Sequence, residues 1–214
     1  MNSVLVAARD AQLAERWLAE LAASGQWSLL PAVTSNAQAR AALARSDPVL
    51  LVTDLRLLDG ATSDLIRALQ YRGAGRRVHT LVVCDGGEDP LVLEALQAGA
   101  DNFFSPAGAP AGALAAGARD TVDGGAHVAP WVARRLLEHF GVAPNERQNA
   151  VEELASPLAL NADERALLRR LSAGHLLDEL ASAEGVAARA VVARLRTIYR
   201  KMQWMLRAGD LTLT

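Results

Sequence analysis

The sequence has 214 residues, of which 51% are hydrophobic and 21% are charged, and its formal net charge is −2. This length suits one domain of ordinary size joined to a small one, and this composition favours folded cores over disorder. The apolar runs are too short to cross a bilayer, and the single cysteine, Cys84, can form neither an internal disulfide nor a cysteine cluster for a metal. We therefore expect a cytoplasmic protein that is neither exported nor embedded in a membrane.

The small net charge conceals an uneven distribution along the chain. Residues 1–140 carry a net charge of −3, residues 141–157 a net charge of −2, and residues 158–214 a net charge of +3. Within the last part, Val186–Arg207 contains six basic residues and no acidic one. A polyanionic partner is therefore expected to bind the C-terminal part.

The first half alternates short apolar runs with amphipathic stretches, which is the pattern of strands and helices in a parallel sheet. Strands are predicted at Val4–Ala7, Trp27–Val33, Val49–Thr53, Thr80–Cys84 and Asn102–Phe104, and helices at Ala11–Ala23, Ala37–Ala44, Ser63–Gln70, Pro90–Ala98 and Ala111–Val122. The pattern predicts an α/β fold, a doubly wound five-stranded parallel sheet. In such sheets the functional site lies outside the carboxyl ends of the strands, and Asp54 directly follows the third predicted strand.

A second group of helices follows the sheet. We predict a helix at Trp131–Phe140, a polar linker at Gly141–Pro157, a helix from the capping box of Asn161 and Glu164 to Gly174, and helices at Leu177–Ala183 and Ala187–Met202. Gly185 allows a tight turn between the last two helices, which makes them a helix-turn-helix. The predicted boundaries are 1–125 for the α/β domain, 126–157 for the connector and 158–214 for a small all-α domain.

Two regions of the chain carry a family resemblance. The stretches LNADERALLRRLSAG and ELASAEGVAARAVVARLRTIYRKM resemble the DNA-binding domain of the NarL/LuxR (FixJ) type of two-component response regulator. The stretch VLLVTDLRLLDG resembles the phosphoacceptor loop of the family's receiver domain. The resemblance implies a flavodoxin-like receiver, a transcription regulator that binds double-stranded DNA, a homodimer formed through the receiver, and a sensor kinase or a partner regulator.

The last predicted helix has the side chains that reading DNA requires, namely cations for phosphates and forked donors for base edges. At about 100° per residue, Arg189, Arg196 and Arg200 project opposite the apolar stripe, whereas Arg194 and Lys201 lie along one flank. A merely solvated face would mix acidic with basic residues, and this one does not. We therefore expect these five side chains to contact DNA.

The same domain departs from the family at three points. Leu176 and Ala187 stand where the family has Ser or Thr caps, so each helix start loses a cap of about 1 kcal/mol. The segment WMLRAGDLTLT is broken by Gly209-Asp210, whereas the family continues into a long helix used for dimer contacts. The missing caps predict a domain of marginal stability, and the broken segment argues against dimerisation through this domain.

The receiver lacks the groups that support aspartate phosphorylation, which are a divalent ion, a hydroxyl and a lysine. Ala8 and Arg9 replace the family's acidic pair, with Asp10 one position late; Cys84 replaces the hydroxyl; and Ser105 and Pro106 fall at the lysine position. Lys201 is the only lysine in the chain and lies in the other domain. We therefore expect neither a Mg²⁺ cofactor nor dependence on phosphorylation.

Asp54 survives without these partners. We expect the guanidinium of Arg9 to pair with the Asp54 carboxylate, to depress its pKa, to stand in for the metal and to lock the receiver in one state. Asp54 as a residual phosphoacceptor of a conventional response regulator is the alternative. A further alternative is a protein-interaction module that has lost DNA binding.

Two other functions are weaker alternatives. Trp131–Arg134 is similar to a tetrad through which some members of the family bind a cyclic dinucleotide, but both middle positions differ, and an ordinary amphipathic helix is favoured. An enzyme is not expected, because the chain has neither a G-x-G-x-x-G motif nor a P-loop.

Overall fold

The computed structural model describes residues 2–70, 77–85, 90–124, 130–141 and 159–210, with the side chains of 205–210 excepted. The chain forms two compact units, Met1–His127 and Val128–Thr214. Within the described part, no helix has the length and apolar character that a membrane span needs.

The first unit is built on a five-stranded parallel sheet in the order β2-β1-β3-β6-β7. Its strands are β1 (Asn2–Ala7), β2 (Trp27–Leu29), β3 (Leu50–Asp54), β6 (His79–Val83) and β7 (Asn102–Phe104). Its helices are α1 (Ala11–Ala23), α2 (Asn36–Arg45), α3 (Ser63–Gln70), α4 (Pro90–Ala98) and α5 (Ala113–Asp123). The predicted doubly wound α/β fold is confirmed.

Helices cover both faces of the sheet. This agrees with the continuous apolar run of β3, which is typical of a strand that is buried on both faces. Successive side chains of a strand point to opposite faces. Val52 packs in one apolar cluster with Trp17 of α1 and Leu114 of α5, whereas Leu51 packs in a second cluster with residues of α2 and with Leu65 of α3. This arrangement leaves the strand ends as the place where polar side chains can gather.

The edge strand β2 is shorter than the predicted Trp27–Val33. Leu29 pairs with Val4 in parallel register, but Val33, instead of Ala32, is the partner of Ala7. One extra residue therefore bulges out of β2. Pro31 lies in the bulged segment, and its missing N–H explains why the ladder is interrupted at this edge.

A short antiparallel hairpin directly after β3 was not predicted. It consists of β4 (Arg56–Leu57) and β5 (Gly60–Ala61). The Asp59-Gly60 dipeptide at its tip is a known turn signal that could have revealed it, because glycine tolerates the positive φ of 130° found at Gly60.

The second unit consists of helices only, within the residues that are described. They are α6 (Pro130–His139), α7 (Ala162–Ser172), α8 (Leu177–Glu184) and α9 (Ala188–Asp210). The sequence placed α6 in the connector, but α6 packs against α7 and belongs to this unit. Its apolar side chains Val132, Leu136 and Leu137 are fully buried.

The last helix is longer than predicted. Instead of ending at Met202, α9 runs without interruption over 23 residues to Asp210, so Gly209 lies in its last turn, and the residues after Asp210 lie outside the described part of the chain. One glycine inside a helix costs only about 1 kcal/mol relative to alanine. That cost does not end a helix whose earlier turns are fixed by packing, as at the buried Leu195 and Met202.

Candidate functional site

A cavity lies at the carboxyl edge of the sheet, where the order of the strands reverses. Chain connections leave β1 and β3 in opposite directions, and ligand sites of doubly wound sheets lie at such a point. Arg9 follows β1 and Asp54 ends β3, and both line the cavity, which has a volume of about 260 Å³. Cys84 and Pro106, from the segments after β6 and β7, line it as well.

Arg9 and Asp54 form an ion pair across this reversal point. The distance from Arg9 Nε to Asp54 Oδ2 is 3.5 Å, which is longer than the 2.7–2.9 Å or so of a tight charge-assisted hydrogen bond. The Arg9 side chain is 60% exposed, whereas that of Asp54 is 14% exposed. The carboxylate is thus fixed in the wall of the cavity and the guanidinium reaches it from the solvent side.

The expected depression of the Asp54 pKa is wrong. Burial raises the pKa of the Asp54 carboxyl above its ordinary value, and the charge of Asp85 acts in the same direction. Arg9 and the backbone N–H groups of Leu55 and Arg56 lower this pKa, but not enough to offset the burial. A single contact at 3.5 Å from an exposed guanidinium does not compensate the lost hydration of the carboxylate.

The residues near Asp54 do not fit Mg²⁺, which needs several oxygen ligands. Ala8 is fully buried and has only a methyl group to offer, and Arg9 brings a positive charge to the place of a metal. Asp10 is the N-cap of α1, where its Oδ1 accepts the Leu13 N–H at 2.7 Å. Among the residues that the structure describes, no cluster of three acidic, histidine or cysteine side chains could hold a metal ion.

The remaining residues of the receiver pocket fall into two classes. Cys84 and Pro106 line the cavity, and the Cys84 thiol is buried with a residue exposure of 6%. Ser105 is half-buried in the segment between β7 and α5, and it is not among the residues that line the cavity. At the positions predicted for a hydroxyl and a lysine, the cavity is thus lined by a small buried thiol and a proline.

The hairpin after Asp54 is tied to its surroundings by residues that the sequence reasoning missed. Thr62 Oγ1 donates to the Asp54 carbonyl oxygen at 2.9 Å. The Asp59 carboxylate accepts the backbone N–H groups of Asn36 at 2.6 Å and Ala37 at 3.0 Å, at the start of α2. These bonds lower the pKa of Asp59 below its ordinary value. A carboxylate at a helix N-terminus is also favoured by the helix dipole.

In the second unit, three of the five predicted DNA-binding side chains lie on one exposed face of α9. Arg189, Arg196 and Arg200 are exposed, opposite the buried Val191 and Leu195. Arg200 Nη2 donates to Thr197 Oγ1 at 3.1 Å, one turn away on the same helix. No ion pair is recorded for these arginines with any part of the chain that is described.

The other two cations bind within the protein. Arg194 Nη1 lies 2.6 Å from Glu184 Oε2, and Glu184 also pairs with Arg170 of α7 at 3.7 Å. Lys201 Nζ donates to Glu164 Oε2 at 2.6 Å and to the Ala159 carbonyl oxygen at 2.9 Å. Glu184 lies two residues before the acid-free stretch, so counting charges inside that stretch missed it. We therefore treat Arg194 and Lys201 as residues that join the helices of this unit.

The start of α8 and the turn that follows this helix are each closed by backbone hydrogen bonds, although Leu176 offers no side-chain cap. Leu176 has no side-chain acceptor, but its backbone N–H donates to Glu179 Oε2 at 3.0 Å, which is one half of a capping box. At the turn, Gly185 adopts a left-handed φ of 67°, and the Val186 N–H donates to the Ala181 carbonyl oxygen at 3.0 Å. This closure fixes the direction in which α9 leaves α8.

The fold of the chain is similar to that of solved proteins, although its sequence matches no known family. No protein-family model matches the chain, and no curated protein matches it in sequence. Among solved structures it is similar to RcsB from Salmonella enterica serovar Typhimurium bound to promoter rprA with the phosphomimetic BeF3⁻, at 16% identity and a TM-score of 0.55, over 95% of this chain and 92% of that one.

Two further structures agree. A structure of two RcsB dimers bound to two parallel DNAs has 17% identity and a TM-score of 0.55, over 95% of this chain and 93% of that one. The response regulator ChrA of a heme-sensing two-component system has 21% identity and a TM-score of 0.50, over 98% of both chains. The chain thus has the fold of full-length response regulators, a receiver followed by a helix-turn-helix domain.

Proposed function

We propose that this chain is a DNA-binding transcription regulator of the response-regulator type whose receiver works without phosphorylation. The observation that carries the proposal is the exposed face of α9, on which Arg189, Arg196 and Arg200 stand with no acidic partner recorded in the described residues. A second helix of a helix-turn-helix inserts such a face into the major groove. Arginine provides both phosphate contacts and bidentate contacts to guanine.

The geometry of the unit supports this role for α9. Its buried side chains Val191, Leu195 and Ile198 hold the helix against the unit's core, so the arginine face points away from that core. A recognition helix held rigidly by its neighbours presents its side chains to base edges at low entropic cost.

Independence from phosphorylation is supported by the pocket chemistry. Arg9 supplies positive charge 3.5 Å from the Asp54 carboxylate, where a phosphorylated receiver uses a divalent ion. Neither Cys84 nor Pro106 offers the hydroxyl or the ammonium that a phosphoryl group would need. The Arg9–Asp54 pair then maintains one state of the receiver.

A homodimer through the receiver is part of the proposal. Solved RcsB neighbours bind DNA as dimers, and a dimer doubles the number of half-sites that one molecule reads. The receiver is the expected interface. The alternative is a heterodimer, in which a partner regulator takes the place of the second copy. No sensor kinase is required if the receiver is not phosphorylated.

The test is DNA binding by the full chain, measured by fluorescence anisotropy on fragments selected from genomic DNA. We expect nanomolar to micromolar binding that the triple change Arg189→Ala, Arg196→Ala, Arg200→Ala weakens at least about a hundredfold, because each arginine contact contributes about 1–3 kcal/mol. The matched control replaces Arg16, Arg40 and Arg119, which are exposed on helices of the first unit. Absence of binding at low salt would support the alternative of a protein-interaction module.

Phosphorylation is tested separately by intact mass after incubation with acetyl phosphate and Mg²⁺. We expect no gain of a phosphoryl group. A gain that Asp54→Asn removes would favour the conventional, phosphorylated response regulator.

A further inference from the structure

We propose that the cavity beside Asp54 is a binding site for a small zwitterion, specifically a free amino acid with an apolar side chain. The inference deepens the proposed function, because such a ligand would be the input that replaces phosphorylation. Binding itself does not depend on that function and is tested independently.

The size and the place of the cavity favour a small ligand. Its volume of about 260 Å³ is below the roughly 300–1,000 Å³ of pockets for drug-sized molecules. It opens at the strand-order reversal, the usual ligand position of doubly wound sheets. A free amino acid is of suitable size for this cavity.

The charges around the cavity come in two signs. Two guanidinium groups, those of Arg9 and Arg56, and two carboxylates, those of Asp54 and Asp85, line it. The balance predicts a ligand with no net charge but with both a cation and an anion. A zwitterionic α-amino acid has both, bonded to the same carbon atom.

The Arg9–Asp54 pair explains why the ligand needs both an anion and a cation. Its 3.5 Å separation is loose, and the 60% exposed guanidinium has five N–H donors, so a carboxylate can bind there. A ligand with a carboxylate alone would compete for Arg9 and leave the largely buried Asp54 without a cation, which is costly. A ligand with both groups satisfies Arg9 with its carboxylate and Asp54 with its ammonium.

The remaining wall of the cavity is apolar. Leu13 and Trp17 of α1, Val83 of β6 and Pro106 line it. Trp17 is otherwise part of the buried core, so its ring is held in place. This wall gives an aliphatic or aromatic side chain a surface to bury and disfavours polar amino acids such as serine.

The test is isothermal calorimetry of the full chain against the twenty amino acids. For the best apolar amino acid, its two single-charge analogues are added, one lacking the ammonium and one lacking the carboxylate. We expect the amino acid to bind at least about tenfold tighter than either analogue, and Arg9→Gln and Asp54→Asn each to weaken it by about tenfold or more. The control Arg16→Gln, on an exposed arginine of α1, leaves the affinity unchanged.

Three results would overturn the inference: no binding by any of the twenty, an analogue that binds as tightly as the amino acid, or affinity unaffected by both pocket substitutions. The Trp17 indole resonance in NMR spectra locates the ligand, because binding elsewhere would leave it unshifted. DNA affinity is measured in parallel. A chain that binds DNA but no amino acid contradicts this inference alone, and a chain that binds the amino acid but no DNA contradicts the proposed function alone.

Discussion

Lys201 Nζ lies 2.6 Å from Glu164 Oε2, so the only lysine of the chain joins the middle of α9 to the first turn of α7. Glu164 is 5% exposed, and the same oxygen accepts the Asn161 N–H at 2.8 Å. Lys201 is thus the cation that compensates a buried carboxylate, and this carboxylate also closes the capping box of α7.

This pair predicts that Lys201→Met destabilises the second unit by about 3 kcal/mol, because it leaves a buried carboxylate without its cation. The double change Glu164→Gln, Lys201→Met should recover most of the loss. Urea denaturation of the full chain, fitted with one transition for each unit, measures both. If Lys201→Met lowered DNA affinity and left stability unchanged, Lys201 would be a DNA contact instead.

Glu184 pairs with Arg194 at one edge of the proposed DNA-binding face of α9. Glu184→Gln should therefore raise DNA affinity about two- to fivefold, since it releases Arg194 and removes an anion that repels phosphates. Fluorescence anisotropy at low and at physiological salt measures the gain, which salt should reduce. The control is Glu15→Gln on an exposed residue of α1, where no change is expected.

The three exposed arginines of α9 should differ in the kind of contact they make. The plot of log affinity against log salt has a negative slope. Replacing a side chain that binds a phosphate with alanine makes this slope less steep by about 0.9. A side chain that reads a base relaxes sequence preference at one position. Salt titrations of Arg189→Ala, Arg196→Ala and Arg200→Ala distinguish the two, and slopes equal to that of the wild type for all three, with affinity unchanged, would remove α9 from the interface.

Asp59 predicts an acid-sensitive contribution to the stability of the receiver. Its pKa is lower in the folded state than its ordinary value of about 3.9, so its contribution is present above that pH and is lost as the pH falls through the folded-state pKa. Asp59→Asn should therefore lower the melting temperature at neutral pH, and its difference from the wild type should shrink at pH values below about 4. Asp120→Asn on the exposed face of α5 is the control. A difference that stays constant with pH would contradict the role of the Asp59 charge.

The contribution of Asp54 to folding stability should depend on pH in the opposite direction. Its folded-state pKa is raised, so this group favours the folded state below its ordinary pKa and loses that contribution as the pH rises through the folded-state value. Arg9→Gln removes the largest opposing influence, and we expect it to raise the Asp54 pKa further. Carboxyl carbon NMR titration measures the change. An unchanged pKa would mean that the Arg9–Asp54 contact carries no electrostatic energy.

Several elements of the fold were predictable because their signals are local. Helix α1 begins at the Asp10 cap and its end is marked by Gly25, and both signals are adjacent to the helix. The continuous apolar run of β3 indicated a strand buried on both faces. The bulge in β2 was harder to predict, because Pro31 interrupts the strand without ending its pairing.

The partners of charged side chains were not predictable in the same way. Glu164 lies 37 residues from Lys201, so only the packing of α7 on α9 brings them together. The net pKa shift of Asp54 likewise depends on how deeply the fold buries it, and the sequence indicates only that Arg9 is near. Sequence patterns therefore indicated which cations lie on α9, but they did not indicate that Arg194 pairs with Glu184 and Lys201 with Glu164.

The cap formed by Asp10 means that this carboxylate already has a structural role. Its Oδ1 accepts the Leu13 N–H at 2.7 Å at the start of α1. Turning the Asp10 side chain toward Asp54 would break this bond and leave α1 without its cap, at a cost of about 1 kcal/mol. Asp10 therefore cannot serve as an acidic neighbour of Asp54 without a loss of helix stability.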